Sequence, residues 1–330
     1  MRAARHTRWG GPDVVEVHEV EDPTPTGDEV LVRVRAASIN RADLDLIEPR
    51  PGFVRLFRGY RVPKEPAIGC DVAGVVEAVG PDVTTFTPGD RVFGDMYPFG
   101  LGSFADLKVA PERAFLPIPD TMSFEEAASI PHAGTLAVQG LRRRDGRTVG
   151  PGDTVLVDGA SGGVGPFAVQ LAKALGATVT GVASTAKLDL VRELGADRVI
   201  DYREVDVTRV GERYDWILDV DGHHSILDWR RVLRRGGTYV TLGGSSTRIL
   251  ASLTVGPVAT LATGRQMGLA LWWRPFFADD VATLARLHAE GSLRIVVDRR
   301  YPLDEVGEAL RYVDDGHARG KVVVIPEVGT

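Results

Sequence analysis

Val30 to Ala36 (Val-Leu-Val-Arg-Val-Arg-Ala) alternates apolar and polar residues with period two, the mark of a strand. Asp71 to Val79 reads as another strand around Gly74, and the turn Pro88-Gly89-Asp90 leads into a third at Arg91-Val-Phe. From about Ser123 the pattern changes to helices alternating with short apolar strands. The helices expected are Phe124–Arg144, Val164–Leu175, Lys187–Leu194 and Ser225–Leu233, several followed by a capping glycine such as Gly176, Gly195 or Gly236. The strands expected are Val155–Val157, Val179–Val182, Val199–Asp201, Trp216–Val220 and Tyr239–Leu242. That alternation predicts a parallel sheet with helices on both faces. From about Ile295 short strands return, ending in Lys321-Val-Val-Val-Ile-Pro, and this tail is expected to rejoin the first module. The division expected is 1–122, 123–255 and 256–330.

The segment Thr154 to Ser184 carries the most chemistry. An apolar run enters Gly-Ala-Ser-Gly-Gly-Val-Gly (159–165), a helix opens, and a second apolar run follows. This is a βαβ unit with a phosphate-binding turn. Glycines at 162 and 163 let backbone approach a pyrophosphate, Gly165 lets the helix pack on the strand, and the N–H groups from Ser161 and Val164 onward face the anion. Ala160 stands where the common fingerprint has its first glycine.

Composition narrows the choice. At 330 residues two domains are expected, and the net charge of −6 without a basic tract excludes the electrostatic footprint of a nucleic-acid binder. One cysteine excludes an internal disulfide, which suits a reducing cytoplasm, and the N-terminus lacks a signal-peptide core. Ile249 to Gly264 is uncharged but contains Pro257 and is shorter than the ~20 residues of a spanning helix. It reads as a buried helix or an interface element, and no membrane span is expected.

Several stretches together resemble the zinc-free medium-chain dehydrogenase/reductase superfamily, close to the quinone oxidoreductases. They are 36–43 (Ala-Ala-Ser-Ile-Asn-Arg-Ala-Asp), 69–80 (Gly-Cys-Asp-Val-Ala-Gly-Val-Val-Glu-Ala-Val-Gly), 88–94, 159–165, Leu194-Gly-Ala-Asp197, Val199-Ile-Asp-Tyr202 and Gly320-Lys321. The resemblance implies an α/β fold: a Rossmann doubly wound parallel sheet inserted into a GroES-like β-rich catalytic domain. It also implies a homodimer, to which the stretch from Ile249 would contribute.

Alcohol dehydrogenases of this superfamily hold a catalytic zinc on a cysteine near the Asn40 position and on a Gly-His-Glu motif. Here those regions read Ala37-Ser-Ile-Asn40 and Gly69-Cys70-Asp71, the adjacent His223 and His224 lack nearby cysteines, and no metal is expected. Cys70 reads as a small buried residue. Without a Lewis acid, hydride delivery to a quinone or an α,β-unsaturated carbonyl is favoured over alcohol oxidation, since hydrogen-bond donors can support the delocalised oxyanion. An enoyl-thioester reductase and a non-enzymatic NADPH-binding sensor remain alternatives.

The second strand of the βαβ unit ends Ala183-Ser184-Thr185 with no acid and Lys187 following, so the expected cofactor is NADPH. In the resembling reductases a lysine and a tyrosine grip the 2′-phosphate, and Lys187 and Tyr202 match both. Asn40 and Asp43 match an Asn-x-x-Asp of zinc-free members, where the asparagine lies near the nicotinamide; equally, both cap a helix from Arg41. Asp219 and Gly243 follow the fourth and fifth strands, where ligands of such sheets lie, and Lys321 matches a family lysine near the nicotinamide. Ala133-Gly134-Thr135-Leu136-Ala137 departs from the family's Ala-Gly-Leu-Thr-Ala, leaving open whether Thr135 makes the threonine's contact. Phe53, Phe57, Tyr60, Trp272, Trp273, Phe276 and Phe277 are acceptor-pocket candidates.

Overall fold

Two different sheets divide the chain in the computed structural model, which describes residues 1–49, 55–59, 61–143, 145–220, 224–242, 246–269 and 274–326. In order the elements are β1 (Arg2–His6), β2 (Val15–Glu19), β3 (Glu29–Ile39), α1 (Arg41–Ile47), α2 (Arg55–Arg58), β4 (Asp71–Val79), β5 (Arg91–Asp95), β6 (Leu107–Pro111) and β7 (Leu116–Pro117). Next come α3 (Phe124–Ser129), α4 (Pro131–Gly140), β8 (Thr154–Asp158), α5 (Gly165–Ala174), β9 (Thr178–Ala183), α6 (Leu188–Glu193), β10 (Arg198–Asp201), β11 (Tyr214–Asp219), α7 (Ile226–Val232) and β12 (Leu233–Thr241). The last are α8 (Ser246–Thr263), β13 (Gln266–Leu269), α9 (Ala278–Ala289), β14 (Val297–Pro302), α10 (Val306–Asp314) and β15 (Lys321–Ile325).

One compact unit comprises Met1–Thr135, Pro275–Gly291 and Ile295–Thr330. Its main sheet runs β14-β15-β3-β4-β5-β7, with β6 also on β3. The tail therefore rejoins the first module, because β15 pairs antiparallel with the end of β3. Central β3 has partners on both sides, so most of its positions are buried and only Arg33 is exposed. Val32, Val34, Val72, Val92, Phe115, Val322 and Val324 meet in one apolar core.

The second unit is Leu136–Arg274 with Ser292–Arg294. Its six parallel strands take the order β10-β9-β8-β11-β12-β13, third-second-first-fourth-fifth-sixth, the doubly wound order of dinucleotide-binding sheets. Leu156, Val182, Ile217, Trp229, Tyr239 and Met267 form a core within it. The sixth strand, β13, lies beyond residue 255.

Two local expectations change. The single helix expected over Phe124–Arg144 is two, because Pro131 has no N–H to continue the first. A reciprocal Ser123–Glu126 capping box starts α3. The uncharged stretch from Ile249 does form a helix, α8, but it is not buried all round. Small Ser252, Gly256 and Ala259 face inward, and a Cβ on Gly256 would lie 2.7 Å from the Met267 carbonyl oxygen. The other face leaves Val258 65% and Leu261 89% exposed. Among the described residues no helix is long and apolar enough to cross a membrane.

Candidate active site and dinucleotide cradle

At the carboxyl end of β8 the chain turns through Gly159, whose φ of +77° is the left-handed region that favours glycine. The tight-turn glycine is thus Gly159, and Ala160 follows it, donating its N–H to Val182 O at 2.9 Å. A Cβ on Gly165 would lie 2.2 Å from Gly159 O and 2.5 Å from the Ala160 carbonyl carbon, so only glycine lets α5 start this close to β8. Gly162 N–H closes the turn on Gly159 O at 3.2 Å, and no side chain caps α5, so the N–H groups at its start, from Gly163 through Gly165, are the ones left for an anion. Ser161 is buried beside them, and this cradle suits a pyrophosphate.

Asp201 of β10 pairs with Ala183 of β9, so Tyr202 and Ser184 leave adjacent strands at one level. Lys187 donates its backbone N–H to Ser184 O at 2.8 Å, and Tyr202 is 43% exposed. Ser184, Lys187 and Tyr202 are therefore brought together. Asp201 stands beside them with its carboxylate held by the Thr185 hydroxyl and, at 2.9 Å, by Arg203 N–H. Asp219 is placed differently from expectation. It is fully buried, and its Oδ2 accepts from Trp229 Nε1 at 2.9 Å and Tyr239 Oη at 2.8 Å, so the carboxylate holds α7 to β12. Gly243 lies outside the described residues, as do Phe53, Tyr60, His223, Trp272 and Trp273 and the Phe57 side chain. Phe276 packs edge-on against Phe99, and Phe277 begins α9.

The β-rich unit holds a buried polar network that pairing between neighbouring strands assembles. Val322 of β15 lies opposite Ile39 of β3, Ser38 opposite Asp71 of β4, and Asp71 opposite Asp95 of β5. Lys321, Asn40, Asp71 and Asp95 thus converge. Lys321 is no surface lysine: it is 1% exposed, and Nζ donates to Asn40 Oδ1 at 2.6 Å and Asp71 Oδ2 at 3.3 Å. Asp71 Oδ2 also accepts from Ser38 Oγ at 2.8 Å and Asn40 Nδ2 at 2.9 Å, while Oδ1 accepts from His132 N at 2.9 Å at the start of α4. Burial, partly offset by Lys321, holds the Asp71 carboxyl above its ordinary range. Asn40 is clamped at both ends of its amide.

Asp43 lies wholly buried behind Asn40. Its Oδ2 accepts Asn40 N–H at 2.7 Å, as the capping reading expected, and its Oδ1 accepts the Cys70 thiol at 3.2 Å. Burial pushes its pKa up to about 6. Thr135 is buried with its hydroxyl lacking a partner among the described residues. Sequence reasoning missed Asp71, Asp95 and His132 as site residues. Only Asp71 carried a signal, its place in Gly69-Cys70-Asp71.

The fold's metal question turns on Cys70, Asp95 and His132. All three are buried and their ligand atoms lie within 4.8 Å of one another. Thiolate, carboxylate and imidazole are zinc donors in kind, and with an open fourth position they would hold a Lewis acid. The cluster is also internally bonded. His132 Nδ1 lies 2.9 Å from Asp95 Oδ2, and although burial lowers the ring's basicity, Asp95 together with Asp71 and Asp43 holds the pKa above its usual value. Burial and Asp43 push the Cys70 thiol well up. An ion here would displace the Cys70 thiol proton and compete with the His132–Asp95 bond.

Comparison with known proteins agrees with this geometry. Residues 26–120 match the family described as alcohol dehydrogenase GroES-like domain, and residues 194–324 the family described as zinc-binding dehydrogenase. The chain is 34% identical over 337 residues to the chloroplastic quinone-oxidoreductase QR1 of Triphysaria versicolor, covering 99% of this chain and 98% of that protein. It is 32% identical to the chloroplastic NADPH-dependent alkenal/one oxidoreductase of Arabidopsis thaliana, over 99% of this chain and 80% of the relative. The quinone oxidoreductase structure from Coxiella burnetii superposes with a TM-score of 0.88 at 28% identity, covering 99% of both chains. The chain belongs to the medium-chain dehydrogenase/reductase superfamily of NAD(P)H-dependent oxidoreductases, among its quinone oxidoreductase-like members.

Proposed function

We propose that the protein is an NADPH-dependent reductase of quinones or α,β-unsaturated carbonyls that works without a metal. The observation that carries the reading is the buried Lys321–Asn40–Asp71 network. Two of the ammonium's N–H groups are committed to Asn40 and Asp71, which leaves a third that would serve as a donor for an oxyanion. One such donor contributes about 3–4 kcal/mol to the transition state in a water-poor site. Bound NADPH supplies a hydride, two electrons with one hydrogen, to the acceptor. The acceptor's π pair would move onto its oxygen, Lys321, held in place by Asn40, would support that charge, and solvent would return the proton. Asn40 would orient the reacting end, Asp43 fixes Asn40 from behind, and the Thr135 hydroxyl would be a partner for the carboxamide.

The cradle at 161–165 would take the pyrophosphate, and Ser184, Lys187 and Tyr202 the 2′-phosphate. Support for NADPH over NADH comes from the absence of an acid at the end of β9 and from charge-assisted bonds of about 1.5–3 kcal/mol each. A homodimer using the exposed face of α8 and a reducing cytoplasmic setting complete the proposal. The test is Lys187→Ala: Kd for NADPH should rise roughly tenfold to a hundredfold while that for NADH stays put. Equal weakening of both would remove the phosphate assignment. Elemental analysis of active protein with stoichiometric zinc on Cys70, Asp95 and His132 would remove the metal-free part.

A further inference from the structure

Within the β-rich unit a cavity of about 400 Å³ opens beside the polar network, a volume in the range of small-molecule sites. Two features tie it to that network: Leu46 reaches it from α1, the helix that Asn40 starts, and Tyr97, also in its wall, lies 5.6 Å ring to ring from His132. His6 and Trp9 form another side, packed edge-on at 5.5 Å. Trp9 is held in place by its Nε1–H, which donates to Gly59 O at 2.8 Å.

Two observations point to a ligand. His6 is only 2% exposed, yet its Nδ1 has no hydrogen-bond partner among the described residues, an expensive condition unless a bound molecule supplies one. The wall is also cationic. Arg58 and Lys64 line it against the single carboxylate of Glu65, and residues 55–65 carry four cations to one acid in a chain of net charge −6. Among the described residues neither Arg58 nor Lys64 has an ion-pair partner. Burial keeps His6 neutral, so the lining residues carry a surplus of one positive charge, and the Arg55 guanidinium, 6.0 Å from the centre of the Trp9 ring, adds to it from outside the wall.

We propose that this cavity selects the acceptor: a planar conjugated carbonyl bearing one carboxylate, its acid end facing Arg58 and Lys64 and its ring against Trp9. The inference rests on the reductase reading and narrows its substrate class. The polar edge of the acceptor satisfies His6, and Leu46 and Tyr97 exclude water around the conjugated system.

The experiment uses a matched pair, 4-(3-oxobut-1-enyl)benzoate and its methyl ester, with the full chain. Calorimetric titration without nicotinamide should give a Kd for the acid at least about tenfold below that of the ester, the effect of one charge-assisted contact. Arg58→Gln and Lys64→Gln should each weaken the acid about tenfold and leave the ester unchanged. Equal affinities for acid and ester, or a preference that survives the double variant, would overturn the proposal. Turnover keeps the two readings separable. If NADPH is consumed as readily with ester as with acid, the reductase reading stands and the acid-selective pocket falls. If the acid binds selectively and neither compound consumes NADPH while a simple quinone does, the assignment of the acid as acceptor falls and the reductase reading stands.

Discussion

Removing the buried charge pair at Lys321 and Asp71 one partner at a time should cost far more than removing both. Lys321→Met strips two donated bonds but leaves Asp71 with Ser38, Asn40 and His132 N–H, a loss of about 1–3 kcal/mol. Asp71→Asn leaves a 1%-exposed ammonium with amide oxygens only and no counter-charge in the pair, and stranding one partner of a buried pair costs about 3–5 kcal/mol. The singles sum to roughly 4–8 kcal/mol, comparable with the whole stability of many domains. The double variant buries neither charge, so its loss should fall short of that sum by about 2 kcal/mol or more. Equilibrium urea unfolding of the four proteins, followed by circular dichroism at neutral pH, measures the coupling. Additivity within about 0.5 kcal/mol would refute the argument that Lys321 and Asp71 act as one unit.

Three further outcomes are expected. Gly165→Ala drives a Cβ to 2.2 Å from Gly159 O, and the forced shift of α5, of order 1–3 kcal/mol, should raise the NADPH Kd about tenfold or more in a fluorescence titration; wild-type affinity would contradict the cradle. Leu261→Asp, at a position 89% exposed on α8, should convert a dimer to a monomer in analytical ultracentrifugation, and a monomeric wild type would dismiss that surface. The pKa of His6 is lowered by burial to about 4, so the unfolded chain binds more protons below its usual value of 6.5. Its contribution is complete above pH ~6.5 and lost as pH falls toward ~4, about 3 kcal/mol in all; His6→Phe should flatten that slope, and an unchanged slope would show the ring is not held neutral.

Much of this molecule could be read along the chain because local rules agree with the fold. The strand at 71–79 appears at its expected residues, and the glycine turn at 159–165 sits between β8 and α5. What could not be read is long-range. Asp71 and Lys321 are 250 residues apart, and only the β15-β3-β4 register makes them neighbours. Asp95 and His132 have no telling spacing, since one ends a strand and the other starts a helix after a proline. The position of Asp219 was readable and its side-chain partners were not. A strand-end carboxylate in a parallel sheet suggests a ligand, but Trp229 and Tyr239, ten and twenty residues on, claim it. The outer face of α8 shows the same limit, because the uncharged stretch from Ile249 does not by itself tell which side meets the sheet and which leaves Val258 and Leu261 exposed.

The most direct measurement is anaerobic oxidation of NADPH by the purified protein, followed by nicotinamide absorbance, with a panel of quinones, enones and simple aldehydes after chelator treatment. The account predicts turnover with quinones or enones, none with aldehydes, and no change on removing metal. Tight NADPH binding with no acceptor reduced, or activity that disappears with chelator and returns with zinc, would contradict it.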